Sequence, residues 1–162
     1  MQQIKLFLTD CDGVLTDGGM YYFKSGDEAK KFNTREGMAF KFLKEQNIKI
    51  GIISGEDTNI VYNRAKKIKI DYIFLGVQDK VKVISSLINE LKIEYKNVLY
   101  VGDDINDLEL LQKAGFSACP KNAEKMIINN VNYVSTKNGR EGVIRDIVNN
   151  FFIGDYNGKR YF

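Results

Sequence analysis

The sequence predicts an α/β fold in which a doubly wound, mostly parallel sheet carries helices on both faces. Two observations support this prediction: short apolar runs alternate with segments of helical periodicity along the 162-residue chain, and the connections between them are short. Strands that are apolar throughout are typical of parallel sheets covered on both faces. A βαβα order with short connections places helices on both sides of such a sheet.

The same patterns set the expected elements. Strands are predicted at residues 4–9, 49–53, 72–75, 97–101, 116–118 and 132–134. Helices are predicted at residues 36–46, 58–68, 81–91, 106–114 and 140–151, with a short helical turn near 123–128. Residues 81–91 illustrate the criterion, since Val81, Ile84, Ile88 and Leu91 recur at the spacing of one helix face. Folds of this class bind ligands at the carboxyl ends of their strands.

Residues 19–33 break the alternation and predict a β-hairpin inserted between the first strand and the first helix. A β-prone segment at 19–23 is followed by the turn Lys24-Ser25-Gly26-Asp27 and by a second arm at 29–33. The hairpin has too many aromatic residues for a freely exposed flap: Tyr21, Tyr22, Phe23 and Phe32. Two alternatives follow, because these side chains could pack on the edge of the sheet or contact another subunit.

The composition excludes several kinds of chemistry. The chain has no histidine, so histidine-containing catalytic triads and histidine-ligated zinc are impossible. A metal here would be held by oxygen ligands, which suit Mg²⁺, Mn²⁺ or Ca²⁺. Two cysteines, Cys11 and Cys119, cannot form a disulfide framework. The net charge of +3 is too small to indicate a nucleic-acid partner. Without a long apolar segment or a signal peptide, we expect a cytoplasmic protein that does not enter the membrane.

The first polar cluster, Thr9-Asp10-Cys11-Asp12-Gly13, follows the first predicted strand. Because side chains alternate along a strand, Asp10 and Asp12 are expected to face the same way. Neighbouring carboxylates repel and raise each other's pKa unless a cation lies between them. With a divalent metal, one carboxylate can serve as nucleophile and the other as proton donor. The alternative is a calcium loop or a polar turn, although Leu15 occupies a position where a calcium loop would have a ligand.

Three further polar clusters follow later strands. Ser54 and Gly55 provide a hydroxyl and backbone N–H groups before a helix, which is typical of an anion site but also of an ordinary helix cap. Lys80 opens the next helix, where a cation opposes the helix dipole and prefers an anionic partner unless it is simply solvated.

The last cluster is Gly102-Asp103-Asp104-Ile105-Asn106-Asp107, in which three carboxylates at a strand end indicate Mg²⁺. Asp104 or Asp107 could instead cap the following helix.

Together these clusters resemble the motifs of the haloacid dehalogenase-like (HAD) phosphatase superfamily: Asp-x-Asp-Gly-Val-x-Thr, then Ser or Thr, then Lys, then Gly-Asp-Asp-x-x-Asp. The resemblance implies a HAD-like Rossmannoid fold and an aspartyl-phosphate mechanism. In that mechanism Asp10 attacks phosphorus, and Asp12 protonates the leaving alkoxide and later deprotonates water. The resemblance also implies that Mg²⁺ is held by the Asp10 side chain, the Asp12 backbone carbonyl and Asp103.

The remaining motif residues have implied roles around this centre. The resemblance implies that Ser54, Gly55 and Lys80 bind the phosphoryl group, which suits a reaction governed by positioning and charge neutralisation. It further implies that Asp104 and Asp107 support the metal and its waters, or Lys80, without binding substrate.

The spacing of the motifs narrows the resemblance to one family. About forty residues separate Gly13 from Ser54, and twenty-six separate Ser54 from Lys80, so neither gap has room for a cap domain. The chain is similar to the capless 3-deoxy-D-manno-octulosonate 8-phosphate (KDO 8-phosphate) phosphatase family in the hairpin and at residues 17–19, 32–37 and 139–143. The resemblance implies a single domain over residues 1–162 and a phosphorylated sugar-acid substrate. It also implies a homotetramer in which hairpins pack together and a neighbour's tail, here about residues 152–162, helps to close the site.

One position departs from the usual family pattern. Octulosonate phosphatases usually have Arg after the Ser/Thr-Gly pair, whereas this chain has Glu56. Glu56, with Lys67 further along, resembles the branch that acts on nine-carbon acids such as KDN 9-phosphate or sialic acid 9-phosphate. Lys67 and Arg64 would then supply the cation for the sugar carboxylate, and Arg35 is a further candidate for specificity. Eight-carbon and nine-carbon substrates are both open at this point.

Two other functions share parts of this pattern. A receiver-type phosphoacceptor domain also uses a doubly wound sheet, an acceptor Asp, a hydroxyl residue and a Lys, but its acceptor follows the third strand. A non-catalytic relative that serves as an oligomerisation module would be expected to lack at least one of Asp10, Asp12, Lys80 and Asp103. All four are present.

Overall fold

The computed structural model describes residues 4–26 and 28–153. The strands in this part of the chain are β1 (Leu6–Thr9), β2 (Tyr21–Tyr22), β3 (Glu28–Ala29), β4 (Lys49–Ile53), β5 (Tyr72–Phe74), β6 (Val98–Val101), β7 (Phe116–Cys119) and β8 (Tyr133–Val134). The α-helices are α1 (Thr34–Glu45), α2 (Asn59–Lys67), α3 (Lys80–Glu90), α4 (Leu108–Lys113), α5 (Lys125–Ile128) and α6 (Val143–Val148). Short 3₁₀ turns at Tyr95–Asn97 and Ile105–Asp107 precede β6 and α4, and a π-helical turn at Asn149–Ile153 follows α6.

Six strands form one parallel sheet in the order β5-β4-β1-β6-β7-β8. The central strand β1 is fully buried, and its Leu6 pairs with Lys49 in β4 on one side and with Val98 in β6 on the other. From β1 the chain first builds one half of the sheet and then returns to build the other half. The strand order therefore reverses beside β1, and open α/β sheets bind their ligands at the carboxyl end of such a reversal.

Apolar side chains cover both faces of the sheet. Successive residues of a strand point to opposite faces, so Phe7 belongs to one core while Leu6 and Leu8 belong to the other. The Phe7 core includes buried residues of α1, α2 and α6, and the second core includes residues of α3, α4 and α5. Burial of this apolar surface, at roughly 25 cal/mol per Å², is the main stabilisation of the three layers.

The predicted fold class is confirmed, and the predicted sheet strands are all found with small shifts at their ends. Between β1 and β4 the described residues form the β2–β3 hairpin and α1, and between β4 and α3 they form α2 and β5, so no cap domain is inserted at either point. The last helix was expected from residue 140 but begins at Val143. Arg140 (φ 71°) and Gly142 (φ 102°) have left-handed backbones that a helix cannot include.

Some expectations concern residues that the structure does not describe. Asp27 of the hairpin turn and the predicted tail beyond residue 153 lie outside the described ranges. Within residues 4–26 and 28–153, no helix has both the length and the apolar character needed to cross a bilayer.

The inserted hairpin is confirmed, with two residues in each strand. Tyr21 pairs with Ala29 and Tyr22 with Glu28. The side chains of Tyr21, Tyr22 and Phe23 are 58%, 67% and 55% exposed, so the alternative in which they pack on the sheet edge is wrong for these three. The fourth aromatic residue, Phe32, is different because it is partly buried and packs against the Phe7 core.

Candidate active site

Asp10 and Asp12 lie at the carboxyl end of β1. The Asp10 N–H donates to the Val101 carbonyl at 2.8 Å, which extends the pairing with β6 by one residue and holds Asp10 at the edge of the sheet. The chain then turns at Gly13, whose φ is +84°. A Cβ atom on Gly13 would lie 1.9 Å from Asp103 Oδ2, so only glycine lets this turn approach Asp103.

The Lys80 ammonium connects two of the predicted carboxylates. Lys80 is buried at the start of α3, and its Nζ lies 2.9 Å from Asp10 Oδ1 and 2.6 Å from Asp107 Oδ1. The Tyr100 hydroxyl, 3.3 Å away, is its third acceptor and itself donates to Asp107 Oδ1. All three ammonium protons therefore have an acceptor. Burial alone would lower the pKa of Lys80, but the carboxylates of Asp10 and Asp107 outweigh it and raise the pKa.

Asp107 is completely buried, and both of its carboxylate oxygens accept hydrogen bonds from the protein. Oδ1 receives Lys80, while Oδ2 accepts the N–H groups of Asp103 at 2.9 Å and Asp104 at 3.3 Å. A Cβ atom on Gly102 would lie 2.5 Å from the Asp107 carboxyl carbon, so glycine is required where β6 passes this side chain. Asp107 thus holds Lys80 and shapes the turn that presents Asp103.

Asp10, Asp103 and Asp107 form a cluster in which one oxygen of each lies within 4.8 Å of the others. Asp103 Oδ1 is buried and has no hydrogen-bond partner among the described residues. Burial, followed by the charge of Asp107, raises the pKa of Asp10 to about 7. Burial, followed by the charge of Asp10, raises that of Asp103 to about 8. Buried carboxyl oxygens without balancing charge fit a divalent cation that prefers oxygen ligands.

Asp12 is held by two side chains on its two oxygens. The Thr16 hydroxyl donates to Oδ1 at 3.1 Å. The Lys30 ammonium, which comes from the hairpin, lies 2.6 Å from Oδ2. Asp12 is less buried than Asp10, with 25% of its side chain exposed. Its side chain is therefore more accessible to solvent than that of Asp10, which is 9% exposed.

Ser54 and Gly55 follow β4, the neighbour of β1. The Ser54 N–H donates to the Phe74 carbonyl at 2.9 Å, and its Oγ accepts the Glu56 N–H at 3.2 Å. Ser54 is buried and Gly55 is exposed. The alternative in which Ser54 caps α2 does not hold, because Thr58 is the N-cap of that helix and accepts a backbone N–H with its side chain.

The predicted specificity residues lie in the loop after β4 and on two helices. Glu56 is exposed in the loop after β4, and Arg35 is exposed in the first turn of α1. Lys67 is the last residue of α2, about 12 Å along the helix from its start. The Arg64 guanidinium donates to the Asn33 carbonyl at 3.1 Å and links α2 to the start of α1.

Sequence reasoning assigned no role to three residues that contact these carboxylates. Thr16 belongs to the first motif, and Tyr100 is a polar residue within an otherwise apolar strand, which is a signal that its hydroxyl needs a partner. Lys30 gave no comparable signal, because its contact with Asp12 depends on how the hairpin folds back.

For Asp104 the structure shows the predicted alternative of a helix cap. Its side chain is exposed, and its Oδ1 accepts the Ile105 N–H at 2.7 Å.

Comparison with known proteins gives consistent matches. A family model for haloacid dehalogenase-like hydrolases matches residues 73–147. The 3-deoxy-D-manno-octulosonate 8-phosphate phosphatase KdsC of Salmonella typhi is 34% identical over 146 residues, which cover 90% of this chain and 78% of that protein. The structure of the corresponding phosphatase from Moraxella catarrhalis, in complex with magnesium, phosphate and KDO, has a TM-score of 0.87 at 35% identity, covering 89% of this chain and 83% of the other. A probable YrbI family phosphatase from Pseudomonas syringae has a TM-score of 0.88 at 38% identity, covering 90% and 83%.

Proposed function

The chain belongs to the haloacid dehalogenase-like hydrolases and, among them, to the 3-deoxy-D-manno-octulosonate 8-phosphate phosphatase family, and on this premise we propose that it hydrolyses the phosphate ester of a 2-keto-3-deoxy sugar acid through an aspartyl phosphate. The family assignment sets aside the receiver-type alternative. The observation that carries the proposal is the Lys80–Asp10 ion pair beside the unpartnered oxygen of Asp103. A nucleophile, a cation for the phosphoryl group and a metal ligand therefore converge at the end of β1.

Asp10 is the nucleophile in this proposal. Its Oδ1 is held by Lys80, so Oδ2 is the oxygen that attacks phosphorus in this proposal. Attack forms the Oδ2–P bond and breaks the bond to the sugar oxygen, which takes a proton from Asp12. Asp12 then removes a proton from water, and the resulting hydroxide attacks phosphorus, releases inorganic phosphate and restores the Asp10 carboxylate. Lys80 and the Ser54 hydroxyl stabilise charge on the other phosphoryl oxygens.

A divalent cation is part of the proposal because of the charges in the site. Asp10 must be ionised to act as nucleophile, yet burial and the neighbouring carboxylates raise its pKa to about 7. The Asp10 side chain, the Asp12 carbonyl and Asp103 would hold Mg²⁺, which neutralises charge on these oxygens and on the phosphoryl group when bound. Gly13 keeps the space in front of Asp103 open.

The relatives favour an eight-carbon substrate, since they are named for octulosonate 8-phosphate and one was solved with KDO. Glu56 favours the alternative, a nine-carbon acid such as KDN 9-phosphate or N-acylneuraminate 9-phosphate. It places an exposed carboxylate in the loop that carries Ser54 and Gly55, where octulosonate phosphatases usually have Arg. The sugar carboxylate would then be held by a different cation, for which Arg64 and Lys67 are the candidates.

A homotetramer with hairpin-mediated contacts is also proposed. The exposed aromatic side chains of Tyr21, Tyr22 and Phe23 support it, because neighbouring exposed aromatic residues are typical of protein contacts. Sedimentation of the full chain measures the assembly state, and charged substitutions at Tyr21 and Tyr22 should dissociate it. A chain that sediments as a monomer would contradict the proposed assembly but not the proposed chemistry.

The test of the function is phosphate release from octulosonate 8-phosphate, KDN 9-phosphate and N-acetylneuraminate 9-phosphate, with Mg²⁺ and with EDTA. We expect turnover of at least one of them that needs Mg²⁺. Asp10→Asn should reduce it at least about a thousandfold in a chain that still folds, as judged by circular dichroism. Undiminished turnover in Asp10→Asn would exclude this nucleophile. A wild-type chain that releases no phosphate from any of the three would favour the non-catalytic alternative.

A further inference from the structure

The hairpin places one buried lysine against the site. Lys30 follows β3 directly, and its side chain has no exposed surface. Its Nζ lies 2.6 Å from Asp12 Oδ2, and within residues 4–26 and 28–153 this carboxylate is the only partner recorded for the ammonium. An ammonium has three donors, and among the described residues the one acceptor that faces it is this carboxylate.

Burial of this ammonium needs an explanation. Removing an ammonium from water costs several kcal/mol, and a single ion pair repays that cost only in part. Lysine has a long, flexible stem that usually lets the charge reach water. The neighbouring Lys31 is exposed in this way. Lys30 instead turns inward to a carboxylate 18 residues earlier in the chain.

We propose that Lys30 is a positioning residue that fixes the orientation of the Asp12 carboxylate. Lys30 holds Oδ2 and Thr16 holds Oδ1, so the two partners set both rotatable bonds of a side chain that lies in a turn. This inference rests on the proposed function, in which Asp12 gives a proton to the leaving oxygen. Misplacement of the acid by about 1 Å can lower the rate of such a proton transfer by a factor of about one hundred.

The backbone explains why Lys30 can do this. Ala29, the preceding residue, pairs with Tyr21 across the antiparallel hairpin. The position of the ammonium is therefore set by a hydrogen-bonded strand rather than by a free loop. Any contact that stabilises the hairpin also stabilises the pairing of Lys30 with Asp12.

The test compares two leaving groups in the full-length protein with Mg²⁺. A sugar-acid phosphate leaves as an alkoxide that needs a proton, whereas p-nitrophenyl phosphate leaves as a stable phenolate that does not. Hydrolysis of the aspartyl phosphate needs Asp12 as a base for either substrate, so the comparison uses the first turnover, in which the aspartyl phosphate forms. Lys30→Met should slow the first-turnover release of the sugar acid at least about tenfold and the first-turnover burst of p-nitrophenolate less than about threefold. Asp12→Asn should show the same selectivity, and the double variant should lose no more than Asp12→Asn alone.

Controls separate positioning from a general structural role. Lys41→Met removes an exposed lysine from α1 and should leave both activities unchanged. Lys30→Arg should recover part of the activity on the sugar-acid phosphate, because it keeps the charge. If Lys30→Met does not fold, Lys30→Gln takes its place in the same comparison.

The outcomes are distinguishable from a failure of the proposed function. Equal losses in the first turnover of both substrates, additive losses in the double variant, or full activity in Lys30→Met would each overturn the role of Lys30. A wild-type chain that turns over no sugar-acid phosphate would instead refute the proposed function, and it would do so before any Lys30 variant was made.

Discussion

A buried acid that is not part of the carboxylate cluster should make stability depend on pH. Glu36, in the first turn of α1, is 2% exposed and accepts the N–H groups of Ile144 and Arg145 at 3.4 and 3.0 Å. These bonds join α1 to the start of α6. Burial raises the pKa of Glu36 from 4.5 to about 7, and it outweighs the lowering by the backbone N–H groups and by the charge of Arg64.

The sign and size of the effect follow from this shift. Between pH 4.5 and about 7 the folded chain keeps a proton on Glu36 that the unfolded chain has lost, so stability falls as the pH rises. The stabilisation that comes from a protonated Glu36 in the folded chain is fully present below pH 4.5 and is lost as the pH rises through about 7. A difference between 4.5 and about 7 corresponds to about 3 kcal/mol. Glu36→Gln keeps the side-chain shape and an acceptor oxygen but cannot ionise.

Glu36→Gln should therefore be about as stable as the wild type at pH 5 and about 2 to 3 kcal/mol more stable at pH 8.5. Urea denaturation of both proteins at each pH measures this difference, and the pH dependence of Asp10 and Asp103 cancels in the comparison. Glu109→Gln, an exposed acid on α4, is the matched control and should show no such change. A Glu36→Gln protein that is less stable than the wild type at pH 8.5 would refute the reasoning. The ionised carboxylate would then be stabilised by α6 and Arg64.

Three further predictions concern the carboxylate cluster and the loop after β4. Lys80→Met should lower the free energy of unfolding, measured in urea without divalent ions, by about 3 kcal/mol, because Asp10 and Asp107 lose their shared cation. A loss below about 1 kcal/mol would contradict the ion-pair argument. Mg²⁺ at about one hundred times its Kd should stabilise the wild type by about 2.7 kcal/mol in thermal unfolding. Asp103→Asn should lack this shift, and equal shifts would exclude Asp103 as a ligand. Glu56→Arg should raise the kcat/KM ratio of octulosonate 8-phosphate to KDN 9-phosphate, and an unchanged ratio would remove Glu56 from the specificity argument.

The sheet and the positions of the catalytic carboxylates could both be predicted from the sequence, and for the same reason. In a parallel sheet, every polar residue that directly follows an apolar strand lies at one edge, so Asp10 and Asp103 meet although they are far apart in the chain. The alternation of apolar runs and helical segments specifies that sheet, and even the two-residue strand β8 lies within a predicted apolar run. Chemistry concentrated at strand ends is therefore well predicted.

Contacts that depend on the direction of a side chain could not be predicted from the sequence in this way. Lys30 reaches Asp12 because a hairpin with two residues per strand folds back at one particular register, which its sequence does not specify. From the sequence, Glu36 is an ordinary acidic residue in the first turn of a helix, where its charge would interact favourably with the helix dipole. Its burial results from the late start of α6.

The charges of the site explain why the two buried lysines have different tasks. Asp10, Asp103 and Asp107 carry three negative charges when ionised, and Lys80 balances one of them. Asp12 and Lys30 form a separate pair that is neutral when Asp12 is ionised, so Lys30 does not reduce the negative charge of the cluster. Two negative charges are then left, which one divalent cation balances. A phosphate dianion would enter a site whose carboxylates are already compensated, while Lys30 can act only on the direction in which Asp12 points.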